Sequence, residues 1–156
     1  MIFASLGTMD MPFYRMAKAV DDYAAQTSEE VIVQTGYTDY PYKYAHSFDY
    51  CTKSQMQEYI TKANVLILQG GWGAISEAME QGKKIVVIPR RNGTEHIHDQ
   101  FQLIRKLDEL QCVIGVFDEN DLSDAIKKAE NFEFKKIKKG NAEHIIEKKL
   151  REWFPK

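Results

Sequence analysis

Short apolar runs alternate with longer amphipathic stretches along most of the chain. Residues 2–6, 31–34, 65–68, 84–88 and 112–117 are apolar runs of strand length. Between them, apolar residues recur at helical spacing. Phe13, Met16, Ala17 and Val20 share one face of a helix predicted over 12–25, with Pro12 suited to its first turn. Ser54 is the expected cap of a helix reaching Lys62, and residues 73–81 form a helix closed by Gly82. A helix is predicted over 98–110, and Asp118 or Asn120 caps another over 121–130. Residues 37–48 are aromatic and irregular, with a short extended piece expected near 48–50. A basic linker through Gly140 precedes a last helix over 141–153.

Strands alternating with crossover helices predict an α/β fold: a single Rossmann-like domain with a mainly parallel sheet flanked by helices. In such sheets ligands sit outside the carboxyl ends of the strands. That rule directs attention to Gly7-Thr8, Gln34-Thr35-Gly36, residues 69–74 and residues 89–100, where glycines and unusual polar residues collect.

The segment Gln69-Gly70-Gly71-Trp72-Gly73-Ala74 leads from a strand into a helix. Its glycines permit close approach by an anion, and a helix N-terminus presents free N–H groups at its positive end. Glu77, one turn further on, can accept hydrogen bonds from two ribose hydroxyls; the competing reading is a tight turn that simply needs glycine. No Gly-Lys-Ser/Thr ending follows, which disfavours an ATP-type phosphate loop, and Ser5-Leu6-Gly7-Thr8-Met9-Asp10 is not G-x-G-x-x-G, which disfavours a dinucleotide site. Thr8 can bind phosphate or cap a helix. In the loop after the fourth run, Arg90 and Arg91 can pair with a diphosphate. Glu95, Asp99 and Gln100 can hydrogen-bond sugar hydroxyls. His96 and His98 are weak candidates for a catalytic base and suit hydrogen bonding or capping better. They lack a distant ligand partner at zinc-like spacing, so no metal is expected.

Composition changes the picture in two places. The 156 residues are 44% hydrophobic and 28% charged with net charge −2, ordinary for a soluble domain and unsuited to bulk nucleic-acid binding. Residues 135–156, however, carry eight basic residues against three acids, a net +5 that leaves −7 for the rest. Ile145, Ile146, Leu150, Trp153 and Phe154 add an apolar stripe there, which can pack on its own domain, dock a partner or lie on an anionic membrane. The exposed-type aromatics Tyr37, Tyr40, Tyr42, Tyr44, Phe48 and Tyr50 suit either an acceptor or protein interface or simple loop packing. Two cysteines without C-x-x-C spacing, no signal-peptide pattern and no apolar run of membrane-spanning length fit a cytoplasmic setting.

Taken in order, several segments resemble the donor-binding, PssE-like subunits of two-part glycosyltransferases of capsule and exopolysaccharide synthesis, related to the C-terminal half of MurG-type enzymes. The catalytic subunit of the eukaryotic dolichol-linked N-acetylglucosamine transferase is akin to them. These segments are residues 2–8, 33–37, 63–65, 69–74 with Glu77-Ala78, and 88–91 with Glu95-His96 and Asp99-Gln100. Many relatives have histidine where this chain has Gln69. The resemblance implies one half of a GT-B glycosyltransferase, with residues 1–134 as the UDP-sugar-binding domain and 135–156 as a basic amphipathic helix that docks a partner. It implies inverting transfer, with no cofactor and no metal, of a hexose or N-acetylhexosamine from a UDP-sugar to a lipid-linked saccharide acceptor, the sugar on a polyprenyl diphosphate. A membrane-anchored acceptor-binding subunit would hold the chain at the inner face of the membrane. By the same pattern Gly7, Thr8, Gly36, Gly70, Gly71, Trp72, Gly73, Ala74, Glu77, Arg90, Glu95, Asp99 and Gln100 would line the nucleotide-sugar site, and the backbone near 48–50 would read the uracil. The base would lie on the acceptor half. A non-catalytic subunit that stabilises or activates a transferase is the alternative, and an epimerase-like homodimer ranks below both.

Overall fold

A computed structural model describes residues 1–137, Gly140 and residues 142–154. Lys138, Lys139 and Lys156 of the basic tail, and Asn141 at the expected start of the last helix, lie outside the described residues. The described elements run β1 (Ile2–Ser5), α1 (Tyr14–Ala24), β2 (Val31–Gln34), β3 (His46–Phe48), α2 (Lys53–Lys62), β4 (Val65–Gln69), α3 (Trp72–Glu80), β5 (Lys84–Ile88), α4 (Phe101–Glu109), β6 (Ile114–Gly115), a 3₁₀ turn (Glu119–Asp121), α5 (Leu122–Asn131) and α6 (Ala142–Trp153).

The described strands form one six-stranded sheet in the order β3-β2-β1-β4-β5-β6, every pair parallel. Strands β1, β2, β4 and β5 are buried on both faces, which is why they read as unbroken apolar runs rather than alternating ones. One face packs Ile2, Ala4, Val33, Ile67, Val86 and Ile88 against Phe13, Met16 and Val20 of the first connection and Ile126 and Ala129 of α5. The other packs Phe3, Leu66, Leu68, Ile85 and Val87 against Ile60, Ile75, Ile104 and Leu107 from α2, α3 and α4. The chain builds outward from β1 through β2 and β3, then returns to the middle and builds the other way from β4. The loops after β1 and β4 therefore diverge at the centre of the sheet and leave a crevice at its carboxyl edge.

Several boundaries differ from the sequence reading, each for a local reason. Thr52 rather than Ser54 caps α2, through a reciprocal box: the Gln55 N–H donates to Thr52 Oγ1 at 3.2 Å and the Thr52 N–H to Gln55 Oε1 at 3.0 Å. The third strand lies at His46–Phe48, because its register against Ile32–Gln34 is set there. The run 112–117 contributes only two strand residues. Gln111 sits at φ 60°, and the Cys112 N–H closes on the Leu107 carbonyl, so the first part of the run belongs to the end of α4. Helix α4 starts at Phe101 rather than near His98, because the His98 N–H is taken by His96 Nδ1 and the Phe101 N–H by Asp99 Oδ1.

The aromatic stretch after β2 is fastened by a group the hydropathy pattern does not reveal. Asp21, 4% exposed on α1, accepts backbone N–H bonds from Lys43, Tyr44 and Ala45 at 2.9 to 3.2 Å. Burial alone would raise its pKa, but the three N–H groups together hold it below the ordinary carboxylate value. Helix α6 has no buried residue, and Ile145, Ile146, Leu150 and Trp153 stay exposed along it. Among the described residues no helix is long and apolar enough to cross a membrane.

A lowered folded-state pKa stabilises the fold above the unfolded value and loses that contribution as pH falls through the folded value. Asp21→Asn should therefore be less stable than the parent at pH 7, by about 1–3 kcal/mol in urea denaturation. The gap should narrow on acidification below about pH 4. A gap that stays constant down to pH 2 would contradict the assignment.

Candidate functional site

The crevice at the centre of the sheet is a cleft of about 350 Å³. Phe3, Leu66 and Leu68 form its apolar floor, Met56 and Ile60 of α2 one wall, and Ala74, Glu77 and Ala78 of α3 the other. Gly7, Thr8, Gln69, Gly71 and Gly73 surround the mouth. The sheet order alone brings the loops after β1 and β4 together here, although Gly7 and Gly71 are far apart in sequence.

The N-terminus of α3 opens into this cleft. Gly71 is its N-cap and, having no side chain, leaves the first-turn N–H groups of Trp72, Gly73 and Ala74 without a side-chain cap. Crowding restricts Gly70 and Gly71, and crowding together with a φ of 56° restricts Gly36. A Cβ on Gly71 would lie 2.2 Å from Gln69 Nε2, one on Gly70 2.5 Å from Gln100 Oε1, and one on Gly36 2.1 Å from the Gly7 carbonyl oxygen. Gly73 has open space around it. Glu77 is exposed on the cleft wall, and its carboxylate makes no hydrogen bond or ion pair among the described residues.

The expected site residues separate into two groups. Gly7, Thr8, Gly71, Gly73, Ala74 and Glu77 line the cleft. The others have different positions. Gly36 packs on the β1–α1 loop and Gly70 on Gln100. The indole of Trp72 lines a separate groove with Met79 and Ile137, so only its backbone remains at the α3 N-terminus. His96 and His98 lie on the loop beyond β5 with rings 5.6 Å apart and do not line the cleft. His96 Nδ1 is occupied by the His98 N–H. Asp99 is exposed at the start of α4, one oxygen accepting the Phe101 N–H.

Three polar residues expected to meet ligand are internal fasteners instead. Arg90 is 2% exposed, and its guanidinium donates to the carbonyls of Leu6 at 2.7 Å, Met11 at 2.7 Å and Glu95 at 3.0 Å. Its donors are thus engaged inside the protein rather than on a diphosphate. Glu95 accepts a two-point pair from Arg15, at 2.9 and 3.1 Å, and the Arg91 N–H at 2.8 Å. Burial pushes the Glu95 carboxyl up, but these partners outweigh it and hold it below its ordinary value. Gln100, 6% exposed, accepts the Arg90 N–H and donates to Gln69. Its side chain therefore braces two loops and does not face open space.

Two residues outside the expected ligand-contact set, Gln34 and Phe13, complete the scaffold. Gln34, 1% exposed, accepts from Ser5 Oγ at 2.7 Å and donates to the carbonyls of Gly7 and Asp49 at 3.2 and 3.0 Å. Phe13 lies beneath both Arg15 and Arg90, whose guanidinium carbons are 5.1 and 4.5 Å from the ring centre. The available signal was that β2 and β4 each end in glutamine, at the edge where a buried amide can tie strand ends together.

A family profile described as Glycosyltransferase family 28 C-terminal domain matches residues 7–151. No curated protein matches the chain. Among solved structures, the chain is similar to the glycotransferase of kitacinnamycin at 18% identity and TM-score 0.64, covering 83% of this chain and 34% of that one. It is similar to the glycosyltransferase SnogD from Streptomyces nogalater at 15% identity and TM-score 0.60, with the same coverage. It is also similar to MurG from Acinetobacter baumannii at 13% identity and TM-score 0.57, covering 83% of this chain and 41% of that one. The chain thus spans 34–41% of the length of these structures.

Crowding makes a prediction that separates neighbouring glycines. Gly70→Ala should lower thermal stability, by about 1–3 kcal/mol, because the added methyl meets the braced Gln100 side chain. Gly73→Ala, in open space within α3, should be neutral or add about 0.5–1 kcal/mol. Equal effects of the two substitutions in thermal denaturation would contradict the packing described.

Proposed function

The chain belongs to the glycosyltransferase family 28 C-terminal domain family, and from that premise we propose that it is the donor-binding half of a UDP-sugar-dependent inverting glycosyltransferase. The observation that carries the reading is the cleft at the β1/β4 junction, where an uncapped helix N-terminus faces a carboxylate one turn away. The α3 N–H groups and positive dipole end suit the diphosphate, and Glu77 suits the ribose hydroxyls. Gly7 and Thr8 approach the same space from the β1 side. A helix N-terminus can stabilise a diphosphate leaving group as its charge develops, so in this reading the chain's own part in catalysis is electrostatic.

The donor would carry a hexose or N-acetylhexosamine, and Asp99, exposed at the start of α4, would be the acid that meets it. The acceptor would be a polyprenyl-diphosphate-linked sugar presented by a membrane-anchored partner subunit at the cytoplasmic face. Two observations support this division. Neither histidine of the 96–98 pair lines the cleft, which agrees with a base supplied from elsewhere. The tail helix leaves an apolar stripe uncovered, suited to docking a partner.

UDP should stabilise the protein in thermal-shift measurements, whereas ATP and NAD should not. Glu77→Ala should weaken UDP binding about tenfold or more, a loss of about 1.4 kcal/mol or more, without altering the unliganded melting temperature. No response to any uridine nucleotide, alongside a responding control protein, would count against the donor reading. An unchanged affinity in Glu77→Ala would remove the ribose assignment alone. If Glu77→Ala, co-expressed with the partner, still transfers sugar at the parental rate, a non-catalytic stabilising role is the better reading.

A further inference from the structure

The loop between β5 and α4 is closed on itself. Glu95 and His96 both donate their N–H groups to the Arg91 carbonyl, at 3.0 and 3.1 Å, and Gly93 donates to the His96 carbonyl at 2.8 Å. The Arg91 N–H returns to Glu95 Oε2 at 2.8 Å, and the His98 N–H to His96 Nδ1 at 2.9 Å. Residues 91–98 therefore form a compact turn held by its own hydrogen bonds. Such bonds fix the shape of a turn but not its angle to the sheet.

Arg15, on α1, fixes that angle. Its side chain is 8% exposed. Nε and Nη2 donate to the two Glu95 oxygens at 3.1 and 2.9 Å, and Nη2 also to the Pro89 carbonyl at 2.6 Å. Nη1 reaches Glu119 at 3.3 Å. A planar two-point pair sets direction as well as distance. One guanidinium thus holds both the stem of the loop, at Pro89, and its far side, at Glu95. None of the residues it holds lines the cleft. The loop ends at Asp99. One Asp99 oxygen accepts the Phe101 N–H at 2.8 Å, and the other has no partner among the described residues. The next residue, Gln100, donates to Gln69 of the cleft lining, so the end of the loop is tied to the cleft.

We propose that Arg15 is a positioning residue of the donor site: through its two-point pair with Glu95 it sets where the 91–99 loop presents Asp99 to the donor sugar. The proposal rests on the reading of the cleft as a UDP-sugar site and adds to it a residue that touches no ligand. A loop already held in place loses little freedom when the sugar arrives, which leaves more of the contact energy for binding. The nucleotide itself would be held by α3 and Glu77, which Arg15 does not touch. Loss of Arg15 should consequently be felt by the sugar and not by the UDP moiety.

Calorimetric titration of the full chain with UDP, UDP-glucose, UDP-galactose and the two UDP-N-acetylhexosamines tests this, using the sugar that the parent binds most tightly. Arg15→Gln should weaken that UDP-sugar about fivefold or more and leave UDP within about twofold. Asp99→Asn should show the same selective loss. The double variant should be no worse than either single one, because both remove one contact. Arg15→Lys keeps the charge but not the fork, and a smaller loss of the same kind is expected; it serves if Arg15→Gln does not fold. Equal losses for UDP and UDP-sugar, or a UDP-sugar affinity within about twofold of the parent, overturn the role of Arg15 and leave the nucleotide reading standing. Additive losses in the double variant overturn the link through Asp99. A parent that binds UDP but none of the four UDP-sugars overturns the sugar contact of this loop, and one that binds no uridine nucleotide overturns both readings.

Discussion

The carboxyl edge of this sheet depends on one buried cation. A parallel sheet ends in carbonyls that the next strand cannot satisfy, and loops folded over them bring more. Arg90 meets three of these at once, from Leu6, Met11 and Glu95, with Phe13 stacked against it. A guanidinium is costly to bury unless its donors are matched; here the carbonyls, the ring and the nearby Glu95 carboxylate supply the match. The loops after β1 and β5 consequently behave as one piece. Arg15 extends the fastening by pairing with Glu95 and with Glu119 and by donating to the Pro89 carbonyl.

Two buried amides carry the same logic across the rest of the edge. Gln34 ties the end of β2 to Ser5, Gly7 and Asp49. Gln100 ties the start of α4 to Arg90 and to the end of β4. The cleft between β1 and β4 is thus framed by loops whose polar groups are already engaged, leaving the α3 N-terminus and Glu77 turned to it. Fixed donors of this kind need little reorganisation when negative charge develops beside them, which is how the proposed donor site would act. The division of labour that follows, with phosphates held on this chain and the acceptor held elsewhere, belongs to the proposal.

Much of the fold was legible because buried parallel strands announce themselves as apolar runs, and Gly71 announces a strand-to-helix turn. The same physics explains the errors. The run 112–117 is as apolar as a strand because it is equally buried, yet its first residues close the end of α4. Arg90, Glu95 and Gln100 sit in a polar loop just past a strand, so their side chains read as ligand contacts. Whether such a group faces solvent or its own backbone is decided by Leu6, Met11, Arg15 and Gln69, which are distant in sequence. Gly36 and Gly70 likewise looked like ligand-facing glycines, whereas each makes room for a neighbouring loop. That Gly7, Thr8, Gly71, Gly73, Ala74 and Glu77 line one cleft follows from the sheet-edge rule, which depends only on strand order.

In the proposed donor site the α3 N-terminus holds the nucleotide phosphates, and backbone amide mapping by ¹⁵N–¹H NMR during addition of UDP tests this. The largest shifts should fall on Gly7, Thr8, Trp72, Gly73 and Ala74, and uridine without phosphates should leave the three α3 amides almost unmoved. Binding of UDP that leaves those α3 amides in place, with shifts gathered elsewhere on the domain, would contradict it.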